Sequence, residues 1–137
     1  MSAGAVADGI YTLLTTAQGV GTLYAAVGGR IYHGVGPQDA ALPLLTMQLS
    51  SDVPWRFFAS SDIDMEVQID LWGKADDGAS AILATNAKLI TLCDTASVTI
   101  SGYAGGQMYA LDRGAPVVEG DAIRVMSRWT IWANVSP

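Results

Sequence analysis

The sequence predicts an α+β fold: a single domain with an antiparallel sheet of about four main strands and two helices packed on one face. Residues 62–71 alternate strictly between polar and apolar side chains, which is typical of a half-buried strand. Two segments, 3–17 and 78–94, repeat apolar residues at helical spacing. The chain has 137 residues, the usual size of one domain, so we expect residues 1–137 to form a single unit.

The two helices are predicted from their apolar stripes. In the first helix, 3–17, the stripe consists of Val6, Ile10, Leu13, Leu14 and Ala17. In the second helix, 78–94, it consists of Ile82, Leu83, Leu89, Ile90 and Cys93. Asp76 or Asp77 can cap the second helix. One further turn of helix is predicted over 22–27.

The remaining strands are shorter or less regular than 62–71. Residues 44–50 alternate, with leucine and methionine on one side. Short strands are predicted over 98–100 and 107–111, separated by a glycine-rich turn. A long final strand is predicted over 121–135, after a loop at 115–120.

Composition limits the function classes. The net charge is −6 and no two of the seven Lys and Arg residues are adjacent, so tight binding to nucleic acid is not expected. Only 15% of the residues are charged, which suits a subunit that covers part of its surface in an assembly. The N-terminus lacks the pattern of a signal peptide, and no apolar run is long enough for a membrane span.

Catalytic and metal-binding patterns are missing from the sequence. His33 is the only histidine, and the favoured interpretation is a polar loop residue. Cys93 is the only cysteine and lies in a predicted apolar stripe, which favours a buried, inert thiol over a nucleophile. No catalytic residue, metal site, cofactor or enzymatic activity is predicted.

An acidic row follows one face of the strand at 62–71, formed by Asp62, Asp64, Glu66 and Asp70. Calcium binding is disfavoured because ligands along a flat strand do not surround a cation. Two interpretations remain open: a solvated face that pairs with Arg124 and Arg128 of the last strand, or the wall of a channel.

Aromatic side chains supply the candidate interface residues. Trp55, Arg56, Phe57 and Phe58 follow Pro54 in a predicted loop. They either pack on the domain's own core or anchor a neighbouring chain, since Trp and Arg are frequent at interface hot spots. Trp132, on the polar side of the last strand, is a second candidate.

The segment from Arg30 to Pro43 reads R-I-Y-H-G-V-G-P-Q-D-A-A-L-P. It resembles the signature region of the tail-terminator, or tail-completion, proteins of long-tailed bacteriophages, and the order of helices and strands is similar over nearly the whole chain. The resemblance implies a structural connector formed by Arg30, Ile31, Tyr32, Gly34, Pro37, Gln38, Asp39 and Pro43.

The resemblance further implies a protein of the virion tail or neck, assembled in the host cytoplasm. It would form a hexameric ring on the tail tube protein, join head-tail connector proteins, and let DNA pass through its lumen as a passenger that does not stick. Two alternatives stay open: a head-completion or neck adaptor, and a small ion- or ligand-binding module that uses the acidic row.

Overall fold

The structure, a computed structural model, describes residues 3–34, 36, 41–54 and 63–135. Within these ranges, the side chains of residue 3, residues 50–54, residues 63–64 and residues 134–135 are not described. Several candidate residues lie outside the described residues: Pro37, Gln38, Asp39, Trp55, Arg56, Phe57, Phe58 and Asp62.

The predicted helices are confirmed. The helices are α1 (Ala3–Thr16), α2 (Leu23–Ala26) and α3 (Gly78–Cys93). The Thr22 hydroxyl caps α2 by accepting a hydrogen bond from the Ala25 N–H, at 3.3 Å. Asp77 occupies the predicted capping position of α3, but its side chain makes no capping bond. A 3-10 turn over Ala75–Asp77 gives Asp77 a helical backbone without a side-chain capping bond, whereas a capping residue needs an extended backbone. None of these helices is long and apolar enough to span a membrane.

Among the described residues, seven strands form one mixed sheet. They are β1 (Ile31–His33), β2 (Leu44–Pro54), β3 (Ile63–Lys74), β4 (Ala96–Ser97), β5 (Tyr103–Asp112), β6 (Pro116–Glu119) and β7 (Ala122–Val135). Their spatial order is β1-β2-β3-β7-β5-β4, and β6 also pairs with β7. β1 runs parallel to β2, and every other pair is antiparallel.

The predicted α+β class is confirmed, but the prediction of four antiparallel strands and two helices was incomplete. β1 lies inside the predicted connector, and β6 lies inside the loop predicted over 115–120. Both strands are too short to show a periodic pattern, so only their partners reveal them. The strand predicted over 98–100 is wrong. Val98 and Ile100 are buried and the Val98 N–H still donates to the Gly106 carbonyl at 2.9 Å, but the strand itself, β4, lies at Ala96 and Ser97.

The helices pack on one face of the sheet and form the core. The inward residues of β3 and β7 that belong to this core are Met65, Val67, Ile69, Leu71, Ile123, Val125, Trp129, Ile131 and Ala133. The Trp129 indole N–H donates to the Ser127 hydroxyl at 2.8 Å, and that hydroxyl donates to the Ile69 carbonyl at 3.2 Å. A buried chain of hydrogen bonds therefore satisfies the polar atoms that Trp129 and Ser127 bring into the core.

β5 and β6 act as one interrupted strand, because both pair with β7 on the same side. The interruption is held by the Asn86 side-chain amide, which donates to the Arg113 carbonyl at 2.9 Å, and by the Asp112 carboxylate, which accepts from the Gly114 N–H at 2.8 Å. Gly114 has φ +82°, and a Cβ there would overlap the backbone oxygen of Met126. Only glycine fits at this point.

We expect Gly114→Ala to lower the free energy of unfolding by about 3 kcal/mol, because it combines a strained φ with a clash against backbone. Gly21→Ala is the matched control, since Gly21 has φ +85° but open space around the missing Cβ. The control should lose only about 1 kcal/mol. Urea unfolding of both variants measures the difference, and equal losses would show that the approach to Met126 is unimportant.

Candidate functional site

The sheet face opposite the helices is the candidate site, because no described helix packs on it. We call it the uncovered face. Its principal residues are Thr46, Gln48, Glu66, Gln68, Asp70, Trp72, Gln107, Tyr109, Arg124, Met126, Arg128, Thr130 and Trp132. The alternation that sends one set of side chains into the core sends this set outward.

One end of the uncovered face carries two aromatic side chains, Tyr109 and Trp132, together with the polar Gln107. We call these three residues the aromatic cluster. Gln107 lies opposite Trp132 in the β5–β7 ladder, and the Tyr109 hydroxyl donates to the Gln107 side-chain oxygen. Trp132 is 54% exposed. The adjacent residues of β5, Gly105 and Gly106, carry no side chain that could cover the indole, and together with Ser97 they line a hollow beside it. A large apolar ring is thus presented next to an open depression.

The middle of the face is charged but largely neutralised. The Arg128 guanidinium donates to the Glu66 carboxylate at 2.9 Å. Arg124 instead pairs with Glu119 of β6 at 2.9 Å, and its guanidinium carbon lies 5.5 Å from the Trp72 ring centroid. Arg124 and Arg128 were both expected as partners for the acidic row. Arg128 pairs directly with Glu66 of that row, whereas Arg124 pairs with Glu119 outside it.

Asp70 departs from the expected acidic row. It was predicted to lie on a solvated face or a channel wall, but it is only 5% exposed. Thr46 of β2 and Met126 of β7 flank it in the sheet. Burial raises the pKa of the Asp70 carboxyl, although the hydrogen bond from Gln68 and the charge of Arg124 act in the opposite direction. The Gln68 amide donates to its two oxygens at 3.1 and 3.3 Å.

The other members of the row are differently placed. Asp64 lies opposite Trp132 in the β3–β7 ladder, and Asp62 lies outside the described residues. Glu66 is partly exposed and paired. A channel-facing role for Asp62, Asp64 and Glu66 therefore stays a prediction, while Asp70 is separated from solvent within this chain.

The described part of the connector is attached to the start of β2. The Arg30 Nε donates to the Pro43 carbonyl at 2.9 Å, which joins the two ends of the segment. Gly34 has φ +87°, and its N–H donates to the Met47 carbonyl at 2.7 Å. Ile31 is buried in the core, and the Tyr32 ring lies close to Gly36. The segment thus contributes a parallel strand as well as a connection.

Groups suited to catalysis or metal binding do not come together in the described ranges. His33 is exposed, and no cluster of three potential metal ligands occurs among the residues whose positions are given. Cys93 is fully buried, and desolvation, reinforced by Asp94, raises the pKa of its thiol to about 12. The thiolate that a nucleophile requires is therefore almost unpopulated at neutral pH.

Two exposed features were missed by reasoning from the sequence. The alternation over 107–111 could have placed Gln107 and Tyr109 on the same face as Trp132, had the pairing of β5 with β7 been known. Val117 and Val118 of β6 are 51% and 68% exposed, and reading their segment as a loop hid them. Neither feature has a recognisable motif.

Comparison with known proteins agrees with the fold and with the family that the sequence resembles. The model of the family described as tail completion protein gp17 matches residues 8–91, from α1 through most of α3, and this range contains the Arg30–Pro43 segment. The match confirms the resemblance drawn from the sequence. No curated protein matches the chain.

Two of the solved structures that match the chain illustrate the shared fold. One is the structure of the virion of a native gene transfer agent particle. It is 20% identical with a TM-score of 0.74, and the alignment covers 96% of each chain. A second is 12% identical with a TM-score of 0.68, covering 100% of this chain and 99% of the other. At these identities the structures show a common fold.

Replacing Asp70 by Asn should stabilise the protein at neutral pH. The folded-state pKa lies above the unfolded value, so the contribution of Asp70 is fully present below the unfolded pKa and is lost as pH rises through the folded one. Asn keeps an oxygen that accepts from Gln68 and carries no charge. The melting temperature of Asp70→Asn should exceed that of the wild type at pH 7 and match it near pH 3. The exposed Asp76→Asn is the control, and an equal gain there would refute the burial argument.

Cys93→Ala tests whether the thiol is only a small apolar group. We expect intact assembly and a loss of about 1–2 kcal/mol in the free energy of unfolding, as for a small truncation in a core. In the wild type, a thiol reagent at pH 8 should label Cys93 only after denaturant is added, because the thiol is buried and protonated. Rapid labelling of the native protein would contradict this.

Proposed function

Because the chain belongs to the tail completion protein gp17 family, we propose that it closes the tail tube of a long-tailed bacteriophage as a ring of six copies. It is a structural protein of the phage tail and not an enzyme. In this proposal one rim of the ring sits on the last ring of tube protein and the other meets the head-tail connector. The ring assembles in the host cytoplasm before it becomes part of the virion.

The aromatic cluster on the uncovered face is the observation that carries this proposal. A structural protein acts through contacts, and the cluster presents Trp132 beside a hollow at one end of the sheet. An exposed Trp with a neighbouring depression is the type of feature that dominates binding energy at protein interfaces. Its place near the C-terminal end of β7 suits contact between one rim of the ring and the tube or connector. The segment Trp55–Phe58, which lies outside the described residues, remains a second candidate contact.

The charge of the chain supports passage of DNA without adhesion. The net charge is −6, and the two arginines of the uncovered face are each paired with a glutamate. Paired arginines attract phosphates less than free ones, and an acidic wall repels them. In our proposal this face lines the lumen, with Glu66 on it and the side chains of Asp62 and Asp64 as further candidates.

Trp132→Ser tests the proposal. Light scattering should show the wild type at six times the mass of the chain, and the wild type should cosediment with purified tail tubes. Loss of a hot-spot Trp should weaken the affected contact by about 30-fold or more, seen as a smaller assembly or as lost cosedimentation. Leu83→Ser is the matched control, because Leu83 is an exposed apolar residue on α3, away from this face.

The outcomes separate the parts of the proposal. If Trp132→Ser assembles and cosediments like the wild type, the aromatic cluster is not the contact. A wild-type protein that stays monomeric at every concentration and ignores tail tubes would overturn the function itself.

A further inference from the structure

At the end of the sheet where β6 lies, the two outermost strands of the described structure are β1 and β6. There the strand order is β1-β2-β3-β7-β6, because Ile31 lies beside Leu45, Leu45 beside Leu71, Leu71 beside Val125, and Val125 beside Pro116. Within the described ranges, no residue pairs with the outer side of β1 or of β6. The two edges run in opposite directions, since β1 follows β2 and β6 opposes β7.

The backbone of each edge offers hydrogen-bonding groups to a further strand. In β1, the Arg30 carbonyl and the Gly34 N–H bond to β2. Successive residues of a strand direct their backbone groups to opposite sides, so the N–H and carbonyl of His33 point outward. In β6, the two-residue turn after Glu119 makes Glu119 and Ala122 a hydrogen-bonded pair. Val118 is the next residue, so its N–H and carbonyl point away from β7. Unpaired groups of this kind are a template for another strand.

The side chains of β6 also lack cover. All four residues are exposed, including Val117 on one face and Val118 on the other. Exposed neighbouring valines on an unpaired strand are a liability unless a partner covers them. The turn beside β6 carries Asp121, while Glu119 already pairs with Arg124, and Arg30 directly precedes β1. The two edges therefore differ in charge in the sense that favours their association.

We propose that β6 of one copy pairs antiparallel with β1 of the next copy, with Val118 opposite His33, so that the sheet continues from subunit to subunit. This inference rests on the proposed ring and specifies how its copies join. The contact is heterologous, because two different edges meet, and such contacts form a ring when the rotation from copy to copy closes. Pro116 has no N–H, which prevents a longer pairing and limits the choice of register.

The stagger of this pairing suits a closed ring. Across the sheet, His33 aligns with Met47, Met47 with Ile69, and Ile69 with Ser127 of β7. Val118 aligns with Ile123 of β7, four residues away from Ser127. Pairing Val118 with His33 therefore shifts the ladder by four residues at each copy. A shift of ~13 Å over five strands of ~4.8 Å spacing tilts the strands by about 30°. Closed sheets require a stagger and commonly tilt by about 35–45°. Pairing Val118 with Ile31 would halve the shift, and the Ile31 N–H is already bonded to the Gly29 carbonyl.

Cysteine cross-linking tests the contact. His33→Cys with Val118→Cys, oxidised in the assembled protein, should give a ladder of covalent species up to six chains. Within one chain the two sites are four strand spacings, ~19 Å, apart, so a disulfide between them joins different copies. A mixture of the two single variants should stop at dimers, and each single variant alone should give none. Val118→Cys with Ser80→Cys is the control, since Ser80 is exposed on α3.

A second test removes one backbone donor. Val118→Pro deletes an N–H that β7 does not use, so circular dichroism should show an intact fold while each contact between copies weakens by at least about tenfold. Val118→Thr retains the N–H and the branched shape and should assemble normally. Full assembly of Val118→Pro would overturn the proposal.

The cross-linking outcomes keep this inference distinct from the proposed function. Dimers from Val118→Cys alone would mean that β6 pairs with β6, which overturns the contact with β1. A ring mass without a ladder overturns the edge pairing and leaves the ring intact. A chain that is monomeric by light scattering overturns both.

Discussion

The antiparallel pairing of β3 with β7 is the interaction on which the rest of this fold depends. The ladder joins Ile63–Lys74 to Ala122–Ala133 without a bulge, and both strands are interior to the sheet. Inward residues of these strands, with Trp129 as the largest, form the surface on which the helices pack. A slip of one residue would turn that apolar set outward, so the burial of the core also fixes the register.

The same register creates the functional surface. Because side chains alternate, fixing Trp129 and Ile131 inward fixes Arg128 and Trp132 outward. Arg128 then stands across the ladder within reach of Glu66, and Trp132 stands beside the glycines of β5. The charged centre and the aromatic end of the uncovered face are therefore consequences of core packing rather than separate constructions.

For a protein that acts through contacts, the unpaired strand edges matter as much as the packed core. Elsewhere the chain protects its strands: the Asp94 carboxylate accepts from the Ala110 N–H of β5 and binds Arg113, which occupies that edge with a side chain. β6 has no such cover in the described structure, and neither has the outer side of β1. Protein edges are usually blunted, so an edge left open beside a protected one is a feature that calls for a partner.

The sequence by itself determined the long elements. The apolar stripes of 3–17 and 78–94 and the alternation of 62–71 and 121–135 require one face each to be buried, and local periodicity is enough to express that requirement. The Arg30–Pro43 segment also pointed to the family whose model matches residues 8–91.

Only the tertiary structure decided the parts that depend on distant neighbours. β1 and β6 are strands because β2 and β7 supply their hydrogen bonds, and segments of three and four residues are too short for periodicity to reveal them. Asp70 has the same place in the alternation as Glu66, yet one is buried and the other paired at the surface, because different side chains flank them across the sheet. The solvation of a carboxylate and the freedom of a strand edge are set by neighbours far along the chain, which a local pattern does not encode.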